Sequence, residues 1–250
     1  MVHHLQATRL DMIGAALLMW WAVVMWAAVF ALMVADRHGH GRQVWRGARA
    51  VVLIGVVGQI GHLQEHLAQV GYWVAHPNSP GWMTPWGGGL ARGFGRIDTA
   101  RPALGMETLH LVGNMIFLAG LVGVMVLTCR APGVRARRWG RMGVIMQGLH
   151  GLEHLSLTLS VWFGAPRAIG VSTWFGAMHP GPGLWTYRVW WHFVANVLGT
   201  VIFAGALWFA WADRKVIEES FATAGSPPRG RRRAAVPRPA FAARQAAGPA

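Results

Sequence analysis

Charged residues are scarce in this sequence, and their scarcity excludes an ordinary soluble domain. Only 13% of the 250 residues are Asp, Glu, Lys or Arg, whereas 54% are hydrophobic. Soluble domains carry roughly twice this share of charge. So few charges could not cover a surface exposed to water, so the apolar excess must face lipid. Since lipid-exposed backbone must satisfy its own hydrogen bonds, the long apolar runs predict an all-α integral membrane protein.

Cysteine is nearly absent as well. The single cysteine, Cys129, excludes an internal disulfide framework and a cysteine-based zinc or iron–sulfur site. The sequence also lacks a phosphate-binding loop, a dinucleotide-binding motif and a Gly-x-Ser-x-Gly motif. Acidic residues are few, and the net charge is therefore +14. The positions of the basic residues nevertheless favour a membrane protein and no nucleic-acid partner.

Five apolar stretches are long enough to cross a hydrocarbon core, which takes about 20 helical residues. We expect transmembrane helices over residues 12–35, 50–74, 104–129, 141–163 and 185–212. Residues 1–11 would form an outer N-terminus. Residues 213–250 would form a disordered basic cytoplasmic tail because the end of the chain is rich in Pro, Ala, Gly and Arg.

The loops between these stretches alternate in charge. The tail, the first loop and the third loop contain 17 of the 23 Lys and Arg residues, and the other side of the predicted membrane has six. Positive charge marks the cytoplasmic side, so we expect a multi-pass plasma-membrane protein with its N-terminus outside. The two outer loops, 75–103 and 164–184, are rich in Trp, Pro and Gly. They would either anchor the chain at the membrane interface or cover a site that opens outward.

The polar residues of the predicted helices occur as an internal repeat. The motif Gln59-x-x-His62-x-x-Glu65-His66 recurs 88 residues later as Gln147-x-x-His150-x-x-Glu153-His154, and His110-x-x-x-Asn114 recurs 82 residues later as His192-x-x-x-Asn196. We therefore predict that residues 50–129 and 141–212 form two parallel copies of one unit around a buried polar site. The first helix would be peripheral to them.

Helix geometry places each set of polar residues on one face. At about 100° per residue, His62, Glu65 and His66 share a face, and so do their copies. An ionisable group that faces lipid costs several kcal/mol, so these faces must point into the bundle. The histidines also lie at a common depth, roughly 9–15 Å inside the outer ends of their helices. We therefore expect the polar residues of all four helices to meet at one level.

Imidazoles at positions i and i+4, completed by one from a neighbouring helix, are typical of a metal site. The predicted metal ligands are His62, His66, His110, His150, His154 and His192, together with Glu65 and Glu153. The two carboxylates would bridge two ions or relay protons, and Glu107 is a third candidate acid or base. Gln59, Gln147, Asn114 and Asn196 would be weak ligands or would hydrogen-bond to the ligands.

On these six histidines the chain resembles the histidine-rich integral-membrane oxygenases and desaturases. The resemblance implies two iron ions held by helix-borne histidines. Because the sequence shows no reductase or quinone signature, we expect electrons to come from an electron-donor protein, a partner subunit or the substrate. The sequence lacks that family's His-x-x-His-His motif, its carboxylates are more prominent, and its predicted site lies near the outer face, so copper competes with iron. The predicted function is an oxidoreductase with a dinuclear non-haem iron or copper site. It would hydroxylate, desaturate or N-oxidise a small or lipophilic substrate.

Three alternatives remain open on the sequence alone. A haem b electron-transfer subunit could use His62 with His110 and His150 with His192, although haem needs no Glu beside its ligands. A metal transporter or sensor would need polar residues at several depths, whereas residues 51–57 and 118–127 are almost purely apolar. A non-catalytic scaffold would use the same His and Asn side chains as hydrogen-bond clamps between helices.

Overall fold

The structure, a computed structural model, describes residues 6–77, 79, 82–174 and 182–223, and all of its regular elements within these ranges are helices. The helices are α1 (Arg9–Arg37), α2 (Gly41–Ala75), α3 (Pro85–Phe94), α4 (Ala103–Thr128), α5 (Val134–Trp162), α6 (Val171–Trp174), α7 (Pro182–Ala212) and α8 (Arg214–Thr223). This confirms the prediction of an all-α protein.

Four of the described helices are long and apolar enough to cross a membrane. They are α1, α2, α4 and the part of α7 from Arg188 to Ala212. Helix α5 covers the fourth predicted span, 141–163, and has 29 residues. It is less apolar because Gln147, His150, Glu153 and His154 all lie on it. The structure thus has the helices of a membrane protein, while the count of five spans stays a prediction.

Helix α1 begins at a capping box that also fixes the short helix α3. The Thr8 hydroxyl accepts a hydrogen bond from the Asp11 amide, and the Asp11 carboxylate accepts one from the Thr8 amide. Asp11 also forms an ion pair with Arg92 of α3, at 3.1 Å between carboxylate oxygen and Nε. The predicted interfacial loop 75–103 therefore contains a helix that packs against α1 and α4.

Helices α2, α4, α5 and α7 form a four-helix bundle. Helix α4 packs between α2 and α5, and α7 closes the ring against the same two helices. Helix α1 packs on the outside, against α2 and α4. The backbones of α2 and α4 are in contact where Gly55 meets Gly120, since a Cβ on Gly55 would lie 2.6 Å from the Cα of Gly120. Small residues at helix crossings allow such close approach in membrane proteins.

The end of the bundle that contains most of the basic residues has a tight apolar core. It includes Val44, Ala48, Val51, Leu121, Val124 and Phe203. Helix α8 closes this end, because Ile217 and Phe221 are buried in the same core. Arg130 lies over the Phe221 ring at 4.2 Å and forms an ion pair with Asp36 at 2.5 Å.

The beginning of the predicted disordered tail is therefore a helix. Disorder was expected from residue 213, but Ile217 and Phe221 are one helical turn apart and bury their side chains together, which stabilises residues 214–223 as α8. The remaining residues of the predicted tail, 224–250, lie outside the described residues. Disorder was predicted for all of 213–250 because Pro, Ala, Gly and Arg dominate residues 224–250, which make up most of the segment.

The Gly55–Gly120 contact makes a testable prediction. Gly55→Ala should push α2 away from α4 and lower the free energy of unfolding by about 1–3 kcal/mol, the usual cost of overpacking. The measurement is the thermal unfolding midpoint in detergent. Gly71→Ala on the same helix is the matched control, because a Cβ at Gly71 would meet nothing within 4 Å. Equal midpoints for the two variants would contradict the close contact.

Candidate functional site

Six imidazole rings from the four bundle helices meet in one cluster. Helix α2 supplies His62 and His66, α4 supplies His110, α5 supplies His150 and His154, and α7 supplies His192. Neighbouring ring centroids are 4.7–6.5 Å apart, and each ring has at least two such neighbours. The structure thus brings together all six histidines that the sequence predicted as ligands. We call them the histidine cluster.

The sequence repeat assigns the histidine cluster to two sets of three rings. In the first set the ring centroids of His62 and His66 are 4.8 Å apart, and that of His110 lies 6.5 and 5.8 Å from them. In the second set the corresponding distances among His150, His154 and His192 are 4.7, 5.8 and 4.9 Å.

The two sets touch each other through neighbouring rings. His66 stacks on His192 at 5.9 Å, and His110 stacks on His154 at 5.5 Å. The His110 and His192 centroids are also 5.9 Å apart. The six rings therefore form one continuous group rather than two separate sites.

Backbone carbonyls determine the tautomer of two of these rings. The Nδ1 of His110 lies 2.8 Å from the Met106 carbonyl oxygen, and the Nδ1 of His192 lies 2.7 Å from that of Arg188. A carbonyl only accepts hydrogen bonds, so Nδ1 carries the proton in both rings. The Nε2 of each neutral ring then presents a lone pair to the cluster. Metal-binding histidines are commonly oriented in this way.

Half of the cluster's twelve ring nitrogens are buried without a hydrogen-bond partner within the described protein. Six nitrogens are both buried and unpartnered: Nδ1 of His62, His66 and His154, and Nε2 of His150, His154 and His192. Each buried polar atom left unsatisfied costs about 1–3 kcal/mol. Six of the nine buried, unpartnered side-chain atoms among the described residues lie in this one group of rings.

The ring spacing is close to that of metal ligands. Imidazoles that bind one ion at about 2.0–2.1 Å place their ring centroids roughly 5 Å apart. The Nε2 atoms of His62 and His66 are 3.1 Å apart and share a hydrogen bond; two ligands at this separation would subtend roughly 100° at one ion. Among the described residues, however, no group of three or more His, Cys, Asp or Glu has its donor atoms placed to hold a metal ion. Rotation of the remaining rings would be needed.

The carboxylates of Glu65 and Glu153 point to the loops instead of bridging between rings. Glu65 accepts hydrogen bonds from the Thr84 amide at 3.0 Å, from the Thr84 hydroxyl and from Gln69 Nε2 at 3.0 Å. Glu153 accepts them from the amides of Val171 and Ser172, at 2.7 and 2.8 Å, and from the Ser172 hydroxyl at 2.6 Å. Thr84 and Ser172 each follow their glutamate by 19 residues.

These contacts correct the role predicted for the two glutamates. Both oxygens of each carboxylate already accept protein hydrogen bonds, so neither is free to bridge two ions. The contacts fix the beginnings of α3 and α6, where helical amides lack partners within the helix. Gly87 and Gly170 leave room for this, because a Cβ on either would lie within 3 Å of the carboxylate. The sequence gives no periodic signal for Thr84 and Ser172, since both lie outside the long helices.

Glu107 also has a protein partner. Arg188 Nη2 lies 2.7 and 2.6 Å from the two Glu107 oxygens, and the pair is almost fully buried. Arg188 was not predicted as a site residue, although a basic residue one turn before His192 in a membrane helix was a usable signal. This ion pair lies directly beside His110 and His192, and it occupies the carboxylate that was predicted as a free acid or base.

The four amide side chains form a layer next to the histidine cluster, on its basic-end side. Gln147 Nε2 donates to Asn114 Oδ1 at 2.6 Å and joins α5 to α4, while Gln59 Nε2 donates to Thr200 Oγ1 at 2.9 Å and joins α2 to α7. The amides of Asn114 and Asn196 donate to the carbonyls of His110 and His192. Only the two glutamine contacts join helices, because the Asn114 and Asn196 amides each bond to a carbonyl of their own helix.

Three cavities reach the cluster. The first, of about 160 Å³, lies beside the Glu107–Arg188 pair and reaches His66, His110 and His192. A second cavity of about 220 Å³ reaches His62 beneath α1 and α3. The largest, of about 740 Å³, lies between α5 and α7 and reaches His150 and Gln147.

The loop contacts of Glu153 make a testable prediction. Glu153→Ala removes the acceptor of two backbone amides, and a lost hydrogen bond to a charged group costs about 1.5–3 kcal/mol. Amide hydrogen exchange at Val171 and Ser172 should therefore become at least about tenfold faster. Glu218→Ala, at an exposed position of α8, is the control and should leave these two amides unchanged. Unaltered exchange in Glu153→Ala would show that the carboxylate does not hold α6.

Comparison with known proteins places the chain in a family without assigning it an activity. No curated protein and no solved structure matches the chain. The model of one family, described as a family of unknown function, DUF6008, matches residues 1–244, and the chain therefore belongs to that family.

Proposed function

We propose that this protein is a membrane-embedded, metal-dependent oxidoreductase whose histidine cluster holds two non-haem metal ions. The ions activate O₂ to oxidise a small or lipophilic substrate. One observation carries the proposal: six imidazoles from four helices meet inside the bundle, and six of their nitrogen atoms are buried without a partner. Bound cations would satisfy those nitrogens and remove the cost of burying them.

Each set of three histidines would hold one ion. The two shortest ring separations, 4.7 and 4.8 Å, lie within the sets and join histidines of one helix, whereas His110 lies nearer to His154 of the other set, at 5.5 Å, than to its own partners. Nδ1–H of His110 and His192 is fixed by a backbone carbonyl in each set, which presents Nε2 to the ion. Rotation of the neighbouring rings by a fraction of a turn would then complete two facing three-imidazole sites.

Copper fits this ligand set better than iron. Iron sites of the oxygenase type commonly combine histidines with a carboxylate, whereas Glu65, Glu107 and Glu153 all bind protein groups here. Imidazole suits copper well, and copper has the highest affinity in the divalent series. The proposed metal is therefore copper, with iron as the second choice.

The internal repeat and the membrane orientation belong to the same proposal. Two copies of one unit, 50–129 and 141–212, would each contribute three ligands, and the equal spacing of Glu65 to Thr84 and Glu153 to Ser172 supports this relation. With α5 as a fifth span and the basic end in the cytoplasm, the cluster would lie in the outer half of the membrane.

The reaction needs a reductant from outside the chain. In a hydroxylation, a substrate C–H bond, O₂, two electrons and two protons give a C–OH bond and one water. One oxygen atom enters the substrate, and the other is reduced to water. A redox partner protein would supply the two electrons, because the sequence shows no flavin, nicotinamide or iron–sulfur motif.

Two other functions fit the site less well. A haem between His62 and His110 would need open space all around its iron, but His66 lies within 5.8 Å of both rings. Transport would need a polar path to the basic end of the bundle. In the described helices that end is filled by the apolar core around Val51, Leu121 and Val124. Among the described helices no polar path leads from the cluster to the basic end, which fits a reaction site better than a transport pathway.

Metal content tests the binding step. Purified wild-type protein should contain two copper or iron ions per chain by mass spectrometry, and His150→Ala should contain one or none because it loses a ligand. His40→Ala, which removes a histidine outside the cluster, is the matched control and should retain both ions. Thermal unfolding of each variant shows whether it is folded. A folded wild-type protein without metal would overturn the proposal.

Oxygen incorporation tests the chemistry separately. Cells that express the wild-type protein under ¹⁸O₂ should contain a product that is extracted into organic solvent and carries one ¹⁸O atom. Cells that express His154→Ala should contain much less of this product. The loss follows because His154 is a predicted ligand at the centre of the cluster. His40→Ala should leave the product unchanged. Bound metal with no ¹⁸O product would support the metal site and disprove the proposed oxidoreductase activity.

A further inference from the structure

A buried ion pair connects α4 to α7 beside the histidine cluster. Arg188 Nη2 lies 2.6 and 2.7 Å from the two carboxylate oxygens of Glu107, and the side chains of Glu107 and Arg188 are 1% and 14% exposed. Glu107 lies three residues before His110, and Arg188 lies four residues before His192. Each charged residue is therefore about one helical turn from a cluster histidine, on the same side of its helix.

The internal repeat contains no second copy of this pair. The spacing of 82 residues that relates α4 to α7 places Val189 at the position of Glu107 and Met106 at the position of Arg188. Both of these counterparts are apolar. The carboxylate therefore occurs only in the first copy of the repeat, and the guanidinium occurs only in the second.

The other charged residues of the bundle are balanced between the two copies. Glu65 directly precedes His66 on α2, and Glu153 directly precedes His154 on α5. Both carboxylates accept hydrogen bonds from the amide and the hydroxyl of one loop residue. Glu65, Glu153, Glu107 and Arg188 are the only charged residues in the sequence ranges 50–75, 103–128, 142–162 and 188–212. The ion pair is therefore the difference in charge between the two copies.

The pair acts as a fixed dipole on the histidine cluster. Among the charged groups, Glu107 has the largest electrostatic effect on the His110 ring, and Arg188 has the largest effect on the His192 ring. A carboxylate attracts a cation on the neighbouring ring, whereas a guanidinium repels one. Burial strengthens both effects, because the effective dielectric constant inside the protein is lower than in water.

We propose that the Glu107–Arg188 pair makes the two metal sites unequal, so that the ion bound by His110 is held more tightly than the ion bound by His192. Neither residue of the pair is itself a metal ligand, because each already binds the other. This inference rests on the proposed function, since it concerns the same two ions. It adds an order of loading, in which the site beside the carboxylate fills first.

A purely structural contact between α4 and α7 would not have this effect. Such a contact would stabilise both helices, and with them both metal sites, without favouring either ion. Exchanging the two residues keeps a carboxylate and a guanidinium between the helices but reverses the dipole. The order of the two metal affinities therefore distinguishes an electrostatic role of the pair from a structural one.

Titration of the full-length protein with Cu²⁺ in detergent tests the proposal. Metal is first removed with a chelator, and dissociation constants are then measured by competition with a second chelator of known affinity. His192→Ala should retain the ion on His110, and His110→Ala should retain the ion on His192. The dissociation constant should be at least about tenfold lower in His192→Ala, because its ion lies beside the carboxylate.

Double substitutions in both of these histidine variants test the pair itself. Glu107→Gln with Arg188→Gln removes both charges and should bring the two dissociation constants within about threefold of each other. Glu107→Arg with Arg188→Glu reverses the dipole and should reverse the order of the constants. Asp11→Asn with Arg92→Gln removes the ion pair of α1 and α3, which lies outside the cluster. It is the matched control and should keep the tenfold difference.

Thermal unfolding midpoints show which of these variants are folded. Equal constants in folded His192→Ala and His110→Ala would overturn the proposal without any double variant. A tenfold difference that persists after both charges of the pair are removed would overturn it as well, since the difference would then come from the surrounding helices.

The same samples separate this inference from the proposed function. Two ions bound with equal affinity would disprove the unequal sites and leave the proposed function intact. Unequal constants with no ¹⁸O product would support the unequal sites and disprove the proposed oxidation. A folded wild-type protein that binds no Cu²⁺ would overturn both.

Discussion

The constraint on which this structure depends is the high cost of exposing an imidazole or a carboxylate to hydrocarbon. Helices α2, α4, α5 and α7 each carry such groups on one face, and the bundle is the arrangement that turns all four faces inward. The close contact of Gly55 with Gly120 then brings α2 and α4 near enough for their histidines to meet. Burial solves the problem of lipid exposure, but it leaves the polar groups in need of partners.

The chain supplies partners to the buried carboxylates but not to all of the buried imidazoles. Glu65 and Glu153 bind backbone amides of the loops, and Glu107 binds Arg188. The imidazoles remain, with six buried nitrogens that no described group satisfies. Since a buried carboxylate is costlier to leave alone than a neutral imidazole, this distribution is what folding energetics favour. It also leaves a ligand set made of imidazole alone, and the proposal prefers copper to iron for that reason.

Regular spacing explains how much of this site the sequence could predict. Helix periodicity put His62 and His66 on one face, and the same reasoning applied to His110 and His192. The partners of the glutamates could not be predicted in this way, because Thr84 and Ser172 lie in segments without periodicity. Helix α8 was missed for a related reason: its two buried residues, Ile217 and Phe221, are few beside the Pro- and Arg-rich residues that follow.

The two histidine sets of the proposed site have similar geometry, but different helices surround them. The ring separations in the two histidine sets differ by less than 1 Å, so two ions bound there would have nearly the same ligands. The surroundings nevertheless differ, because α1 and α3 line the cavity at His62 while α5 and α7 line the larger cavity at His150. Two ions held as proposed would therefore have nearly the same ligands and different neighbouring helices. A duplicated ligand set in these unequal surroundings would form an asymmetric site, because only one of its halves packs against α1 and α3.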